Sequence, residues 1–178
     1  MTNHFENLSV NPNELPGLEE IDFKPIDPNY LKVSLISSTL FFILLIGGAI
    51  AVLELGDIEE KLNGYIISMS SIVVLAAINI TITILGFKKK QYALRQRDII
   101  YTKGLIWSMR TTVPFNRIQH AELKQGPIER IYKINSLKLF TAGGQSSDLV
   151  IPGLPDKEAL SMKDFVLKKT EEDGTERS

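Results

Sequence analysis

Charged side chains vanish from the chain twice, between Val33 and Leu53 and again between Ile66 and Phe87. Coiled into a helix at about 1.5 Å per residue, each block is roughly 30 Å long, the thickness of a bilayer's hydrocarbon core. The connection between them, residues 54–65, is short and mostly polar. What remains of the chain is too small to bury both helices in its interior, so the pattern predicts a hairpin over 30–88 that crosses a membrane twice. The acidic segment 1–29 has no basic start of a cleaved leader. It reads as a largely disordered tail broken by Pro25 and Pro28, with Ile21 and Phe23 able to dock as a short extended stretch.

After the second block the hydrophobic period shortens toward two. Tyr92 and Leu94 alternate with Arg95 and Arg97, a turn falls at Asp98, and Ile99 and Tyr101 resume the alternation. Lys103-Gly104 marks a turn, and Leu105–Thr112 and Arg117–Lys124 read as strands. Gly126-Pro127 interrupts them before a short helix through Ile128, Ile131 and Tyr132. Leu137 and Leu139 belong to a further strand, Gly143-Gly144 to a turn, and Leu149 and Ile151 to a last strand stopped by Pro152-Gly153. Asp156 is placed to cap a helix that carries Ala159, Met162, Phe165 and Val166 on one face, with Lys168 and Lys169 at its end. Many short strands followed by one amphipathic helix predict an antiparallel barrel capped by a helix over 89–169, with a polar tail over 170–178.

Composition narrows the chemistry. Without cysteine there is no disulfide, thiolate metal site or cysteine nucleophile, and His4 and His120 are too far apart in sequence to suggest a metal site, so no metal and no cofactor are expected. The net charge of −1 conceals a division: residues 1–32 sum to −4, 54–64 to −3, 88–150 to +8 and 151–178 to −2. Lys24 and Lys32 precede the first span, and Lys88, Lys89, Lys90, Arg95 and Arg97 follow the second, whereas the connection holds only Lys61. The excess of positive charge places both termini in the cytoplasm of a multi-pass protein of the cell's inner membrane. A domain this basic beside a bilayer points to anionic headgroups. Inside the spans, Gly47, Gly48 and Ala49 allow close helix approach, and Ser68, Ser70, Ser71 and Asn79 read as packing or cross-helix hydrogen-bonding residues, because no ionisable group lies mid-membrane.

Three stretches, TTVPFNRIQHAELKQGPIERIYKI (Thr111–Ile134), SLKLFTAGG (Ser136–Gly144) and LVIPGL (Leu149–Leu154), resemble the membrane-anchored bacterial proteins with a pleckstrin-homology-like domain. The resemblance runs from about Gln91 through Leu167, and the two-helix hairpin agrees with it. It implies a membrane-anchored α+β protein, a seven-stranded pleckstrin-homology-like barrel capped by a C-terminal helix, without known catalysis. Pro114, Arg117, Gln119, Gly126, Arg130, Thr141, Ala142, Gly143, Pro152 and Gly153 occupy its characteristic positions. Lys133 departs from it, since the residue after Tyr132 is often glycine there, and a positive φ at that position would strain a lysine.

Gly143, Gly144, Pro152 and Gly153 read as turn residues; a phosphate cradle would need the glycine loop to open a helix, and strand-like sequence follows it instead. The candidate lipid- or partner-binding residues are Lys88, Lys89, Lys90, Arg95, Arg97, Arg110, Arg117 and Arg130. Arg117 and Arg130 either pair with Glu122, Glu129 or a backbone carbonyl, or present a fork to a phosphate or carboxylate. Trp107 packs in the core or anchors at the headgroup layer. Gln119 and His120 have no partners in a catalytic order, and aromatics for base stacking are sparse, so neither an enzyme nor a nucleic-acid binder is expected. The expected role is a membrane-tethered scaffold that binds lipid headgroups and a protein partner, a second copy or a related multi-domain membrane protein. The alternative is an accessory subunit of a larger membrane transport complex.

Overall fold

The computed structural model describes residues 21–56, 61–142 and 148–175. Most of the 1–29 tail, the Gly143-Gly144 turn and the end of the polar tail lie outside the described residues. Strand β1 (Lys24–Pro25) leads into helix α1 (Asn29–Leu55), which is followed by α2 (Lys61–Phe87). Strands β2 (Gln91–Leu94), β3 (Asp98–Lys103) and β4 (Met109–Pro114), a 3₁₀ turn (Phe115–Arg117), β5 (Ile118–Lys124), α3 (Pro127–Ile131), β6 (Ile134–Thr141), β7 (Leu149–Pro155) and α4 (Asp156–Thr175) complete the order.

At 27 residues each, α1 runs past both ends of its apolar block and α2 past the start of its own. Their most apolar windows are only 0% and 6% buried against protein, which separates them from core helices. Leu44, Val52, Ile67 and Val73 are among the large side chains left bare along them. Surfaces this apolar and this bare suit hydrocarbon, and the chain is a membrane protein. The close approach between the helices is at Gly64, where a Cβ would lie 2.7 Å from Leu53 Cδ2, and not at Gly47 and Gly48, where nothing lies within 4 Å. Nearby, the Tyr65 hydroxyl donates to Glu54 Oε1 at 2.5 Å and Lys61 Nζ reaches Glu54 Oε2 at 3.3 Å. The serines do not bridge the helices. Ser68 donates to the Tyr65 carbonyl, and Ser70 and Ser71 donate to that of Ile67, because a hydroxyl in hydrocarbon finds its nearest acceptor one turn back on its own helix. Asn79 is exposed and has no hydrogen-bond partner among the described residues.

Among the described residues the seven expected strands form two antiparallel sheets, β1-β2-β3-β4 and β5-β6-β7, followed by the expected C-terminal helix. Only six of them come from the sequence after the hairpin. The first lies ahead of it, inside the expected tail: Lys24 pairs with Tyr92 and Pro25 with Gln91. Ile26 is 2% exposed in the core, and the Asp27 amide donates to the Gly153 carbonyl at 2.9 Å. Since these residues flank the hairpin on both sides, both its ends lie on one side of the membrane. Asp27 Oδ1 then accepts the Asn29 amide at 2.7 Å in the turn that leads into α1.

Local expectations fail where tertiary packing decides. Residues 105–108, expected as strand, form the loop between β3 and β4. Strand β7 continues through Pro152-Gly153, because two residues there oppose Ser136 alone in a bulge, with Gly153 at φ +66. A Cβ on Gly153 would meet Tyr30 Cβ at 2.7 Å, so its lack of a side chain lets α1 sit against the sheet. Gln119 occupies a second bulge, between the Ile118 and His120 pairings. Helix α4 runs past Lys169 to Thr175, and Lys169 Nζ lies 2.6 Å from Glu172 Oε2. Its Ala159, Met162 and Val166 are buried, and Phe165 meets Phe115 edge to face at 5.8 Å.

Lys133 does adopt the left-handed conformation, at φ +53, where α3 ends and β6 begins. Its carbonyl accepts the Asp156 amide at 3.1 Å, which fixes the position. Lys133→Gly should therefore stabilise the sheets by about 0.5–1 kcal/mol, the left-handed cost of a lysine less the extra chain entropy of glycine. Hydrogen exchange of the β6 amides in detergent-solubilised full-length protein measures this; faster exchange would contradict it.

The buried Tyr92 hydroxyl donates to Glu158 Oε1 at 2.6 Å and joins the first sheet to α4. Burial, and then the Glu158 carboxylate, push the phenol well above the usual tyrosine range. A raised folded-state value means that the stabilisation is complete below the unfolded tyrosine's value, near pH ~10, and drains away as pH rises beyond it. Tyr92→Phe should cost about 1–2 kcal/mol at neutral pH but lose less further stability than the parent above pH ~10. Unfolding followed by circular dichroism across that range tests the sign; parallel alkaline curves would refute it.

Candidate functional site

Helix α2 closes with a turn in which the Lys89 and Lys90 amides donate to the Gly86 and Phe87 carbonyls. Lys88, Lys89 and Lys90 are thus held between the membrane span and β2. Register does the rest. Gln91 pairs with Thr102, and Thr102 pairs with Arg110, so the ends of three strands meet beside the end of α2. There Lys88, Lys89, Lys103 and Arg110 line a cleft of about 270 Å³ together with Phe23, Gln91, Thr102, Gly104 and Ser108. Among the described residues no carboxylate lines it. The Arg110 guanidinium lies 5.4 Å from the centre of the Phe23 ring, which holds its planar fork beside the opening. Cations gathered without a counter-charge favour an anion, and a planar fork with three ammonium groups suits phosphate oxygens.

Two further cavities adjoin the cleft through shared residues. One, of about 540 Å³, is lined by Lys90, Lys103, Lys124 and Lys138 with Tyr30, Tyr101, Glu129 and Ser136. Its carboxylate is engaged, since Glu129 accepts the Gly126 amide at 2.6 Å and the Ser136 hydroxyl at 3.4 Å. Lys90 Nζ lies 4.5 Å over the Tyr30 ring and donates to its hydroxyl at 3.2 Å. Burial raises the Tyr101 phenol above its usual range, so it stays neutral and can donate a hydrogen bond here. The other cavity, about 430 Å³, is largely apolar; it joins Tyr30, Ser34, Ile82, Thr83, Gly86 and Phe87 of the hairpin to Leu105, Trp107 and Met109.

The sequence-predicted cations divide. Lys88, Lys89 and Arg110 share the first cleft, and Lys90 lines both neighbouring cavities. Arg95 and Arg97 do not join them, because the four residues of β2 carry the chain away by roughly 13 Å. Arg95 is spent on Asp98, through Nε at 2.6 Å and a second contact from Nη2, and that carboxylate raises its guanidinium further. Arg117 and Arg130 are exposed and form no ion pair among the described residues. Neither takes the glutamate partner weighed for it: Glu122 lies 3.2 Å from His120, and Glu129 caps α3. Of the motif positions, Pro114 ends β4, Gly126 starts α3, and the amide and hydroxyl of Thr141 donate to Asp148 at 2.7 and 2.6 Å, which holds that carboxyl below its usual range. Sequence reasoning missed Lys103, Lys124 and Lys138. The strand-end Lys103-Gly104 was a usable signal for the first; Lys124 and Lys138 meet only through the β5–β6 register.

The family model described as a bacterial PH domain matches residues 40–170. The UPF0699 transmembrane protein YdbS of Bacillus subtilis (strain 168) is 30% identical over 76 residues, which cover 43% of this chain and 46% of that protein. The match therefore spans about half of that relative's length. A crystal structure of a DUF1696 family protein with a pleckstrin-homology domain, from Shewanella loihica PV-4, aligns with a TM-score of 0.36 and 15% identity over 46% of this chain and 70% of that one.

Proposed function

The chain belongs to the bacterial PH domain family, and from that premise we propose that it is a non-catalytic binding module of the cell's inner membrane, with both termini cytoplasmic, whose basic cleft takes the phosphate of anionic phospholipids. One observation carries this reading: Lys88, Lys89, Lys103 and Arg110 line a single cleft with no carboxylate among the described residues, just beyond the last apolar residue of a membrane span. At that height the neighbouring anions are headgroup phosphates, and each cation near such a surface contributes about 1 kcal/mol. The pairing of β1 with β2 puts both flanks of the hairpin on one side, and the lysines and arginines of those flanks favour the cytoplasmic one. The cleft's position is also suited to presenting the sheets to a protein partner at the membrane surface.

Titration of detergent-solubilised full-length protein with phosphatidylglycerol and with phosphatidylcholine, read by native mass spectrometry, tests the headgroup assignment. Preference for the anionic lipid should be roughly tenfold. Reversal of Lys88, Lys89, Lys103 and Arg110 to Glu should abolish it, and reversal of Arg95 and Arg97 should leave it in place. Equal retention of both lipids by the parent would end this reading.

A second reading, an accessory subunit of a larger membrane complex, is favoured by Asn79. Its amide is exposed near the middle of a span, with no partner among the described residues. Hydrocarbon cannot hydrogen-bond it, whereas a helix of another subunit can, for about 0.6–2 kcal/mol. Crosslinking from position 78 in native membranes should capture a membrane partner, and Asn79→Leu should reduce the yield by roughly 3- to 30-fold. If the parent yields no crosslink, the subunit reading falls.

A further inference from the structure

Leu105, Ile106, Trp107 and Met109, with Ser108 among them, lie between two cations, Lys103 at the end of β3 and Arg110 in β4. The fold does not bury it. Ile106 is 81% exposed, Trp107 85% and Met109 54%. Single exposed apolar residues are ordinary, but three large ones within four positions, two in a loop and one at the start of the next strand, are not. The loop is also shaped to project them. Gly104 sits at φ +110, and a Cβ there would lie 1.8 Å from the Trp107 carbonyl oxygen, so the chain reverses in a space that admits only glycine.

The position of the loop says what covers it. Leu105, Trp107 and Met109 share a cavity with Ile82, Gly86 and Phe87 of α2. Phe87 is the last residue of that span, and Ile82 lies five residues deeper, roughly 7–8 Å along the helix axis. A loop level with these residues therefore lies at the depth to which interfacial elements sink, about 5–10 Å below the headgroups. Lys88 and Lys89 follow Phe87 at the outer end of the span and line the adjoining cleft with Lys103 and Arg110. Apolar residues below and cations above are the distribution of an interfacial membrane anchor.

We propose that the β3–β4 loop, residues 104–108, together with Met109 at the start of β4, is a wedge seated in the headgroup–acyl boundary of the bilayer that α1 and α2 cross, with Trp107 as its anchor. It supplies a third attachment beside the two spans, and it holds the first sheet against the membrane plane so that the basic cleft opens toward the phosphates. The inference rests on the membrane-spanning reading of the helices and not on any headgroup preference.

Trp107 is the only tryptophan and reports on its own position. Full-length protein is reconstituted in vesicles of neutral phosphatidylcholine, so that the result does not depend on anionic lipid. Lipids brominated near the glycerol end of the acyl chain should quench Trp107 at least about twofold more than lipids brominated near the methyl end, and acrylamide in the water should quench it weakly. Ile106→Asp should reverse this order, raising acrylamide quenching and lowering lipid quenching, while the protein still resists carbonate extraction because both spans remain. Strong acrylamide quenching of the parent without lipid quenching would show a loop in water and overturn the wedge. Shielding from both quenchers would show that a second copy covers the loop, and would overturn it equally. Loss of phosphatidylglycerol preference with Trp107 still lipid-quenched would count against the cleft and leave the wedge standing.

Discussion

Between Lys24 and Asp27 the chain makes a short contact with two sheets that it would otherwise leave behind on entering the membrane. Lys24 and Pro25 extend the first sheet, Ile26 fills the core, and the Asp27 amide donates to Gly153 in the second. Burial of one isoleucine is worth about 2–3 kcal/mol, a large share of the margin by which a domain of this size is stable. The hairpin is therefore fastened at both ends. The segment before α1 and the strand after α2 belong to one sheet, so the flanks of the spans cannot separate without unpairing it. The contact of Tyr30 with Gly153 then sets how α1 stands on the sheets, with glycine leaving the space that the tyrosine fills.

Fastening at both ends determines where the cations go. A basic domain on one flexible tether would sample many orientations, and its surface charge would act only as a diffuse attraction. Here the turn after Phe87 and the register of β2, β3 and β4 bring Lys88, Lys89, Lys103 and Arg110 to one place beside the span. Basic residues carried to other ends of the strands behave differently: Arg95 is neutralised by Asp98. The same hairpin of β3 and β4 bears the apolar loop and two of the cations. Depth in the bilayer and charge at its surface are thus set by one structural element.

Departures from regular structure are concentrated where elements are joined. The bulges at Gln119 and at Pro152-Gly153, and the left-handed Lys133, lie at the start of β5, at the crossing of β7 with α1, and at the junction of α3 with β6. Each bends the backbone so that a neighbour can pack. The lysine at φ +53 shows that tertiary hydrogen bonding can outweigh an unfavourable local preference of about 1 kcal/mol.

The hairpin was legible in the sequence because hydrophobic length is local and additive: no distant residue changes what 21 uncharged positions in a row will do in water. For the same reason the strands β2 and β3 and the α4 face through Ala159, Met162 and Val166 could be read residue by residue, whereas the strain at Lys133 was implied only by the family resemblance. The tertiary structure alone decided that Lys24–Pro25 forms a strand, that residues 105–108 form a loop, that Ser68 and its neighbours bond within their own helix, and which four cations share a cleft. These depend on register and on helix rotation. A two-residue pairing leaves no periodicity in sequence, and the meeting of Lys88 with Arg110 follows from backbone hydrogen bonds across three strands, not from any spacing along the chain.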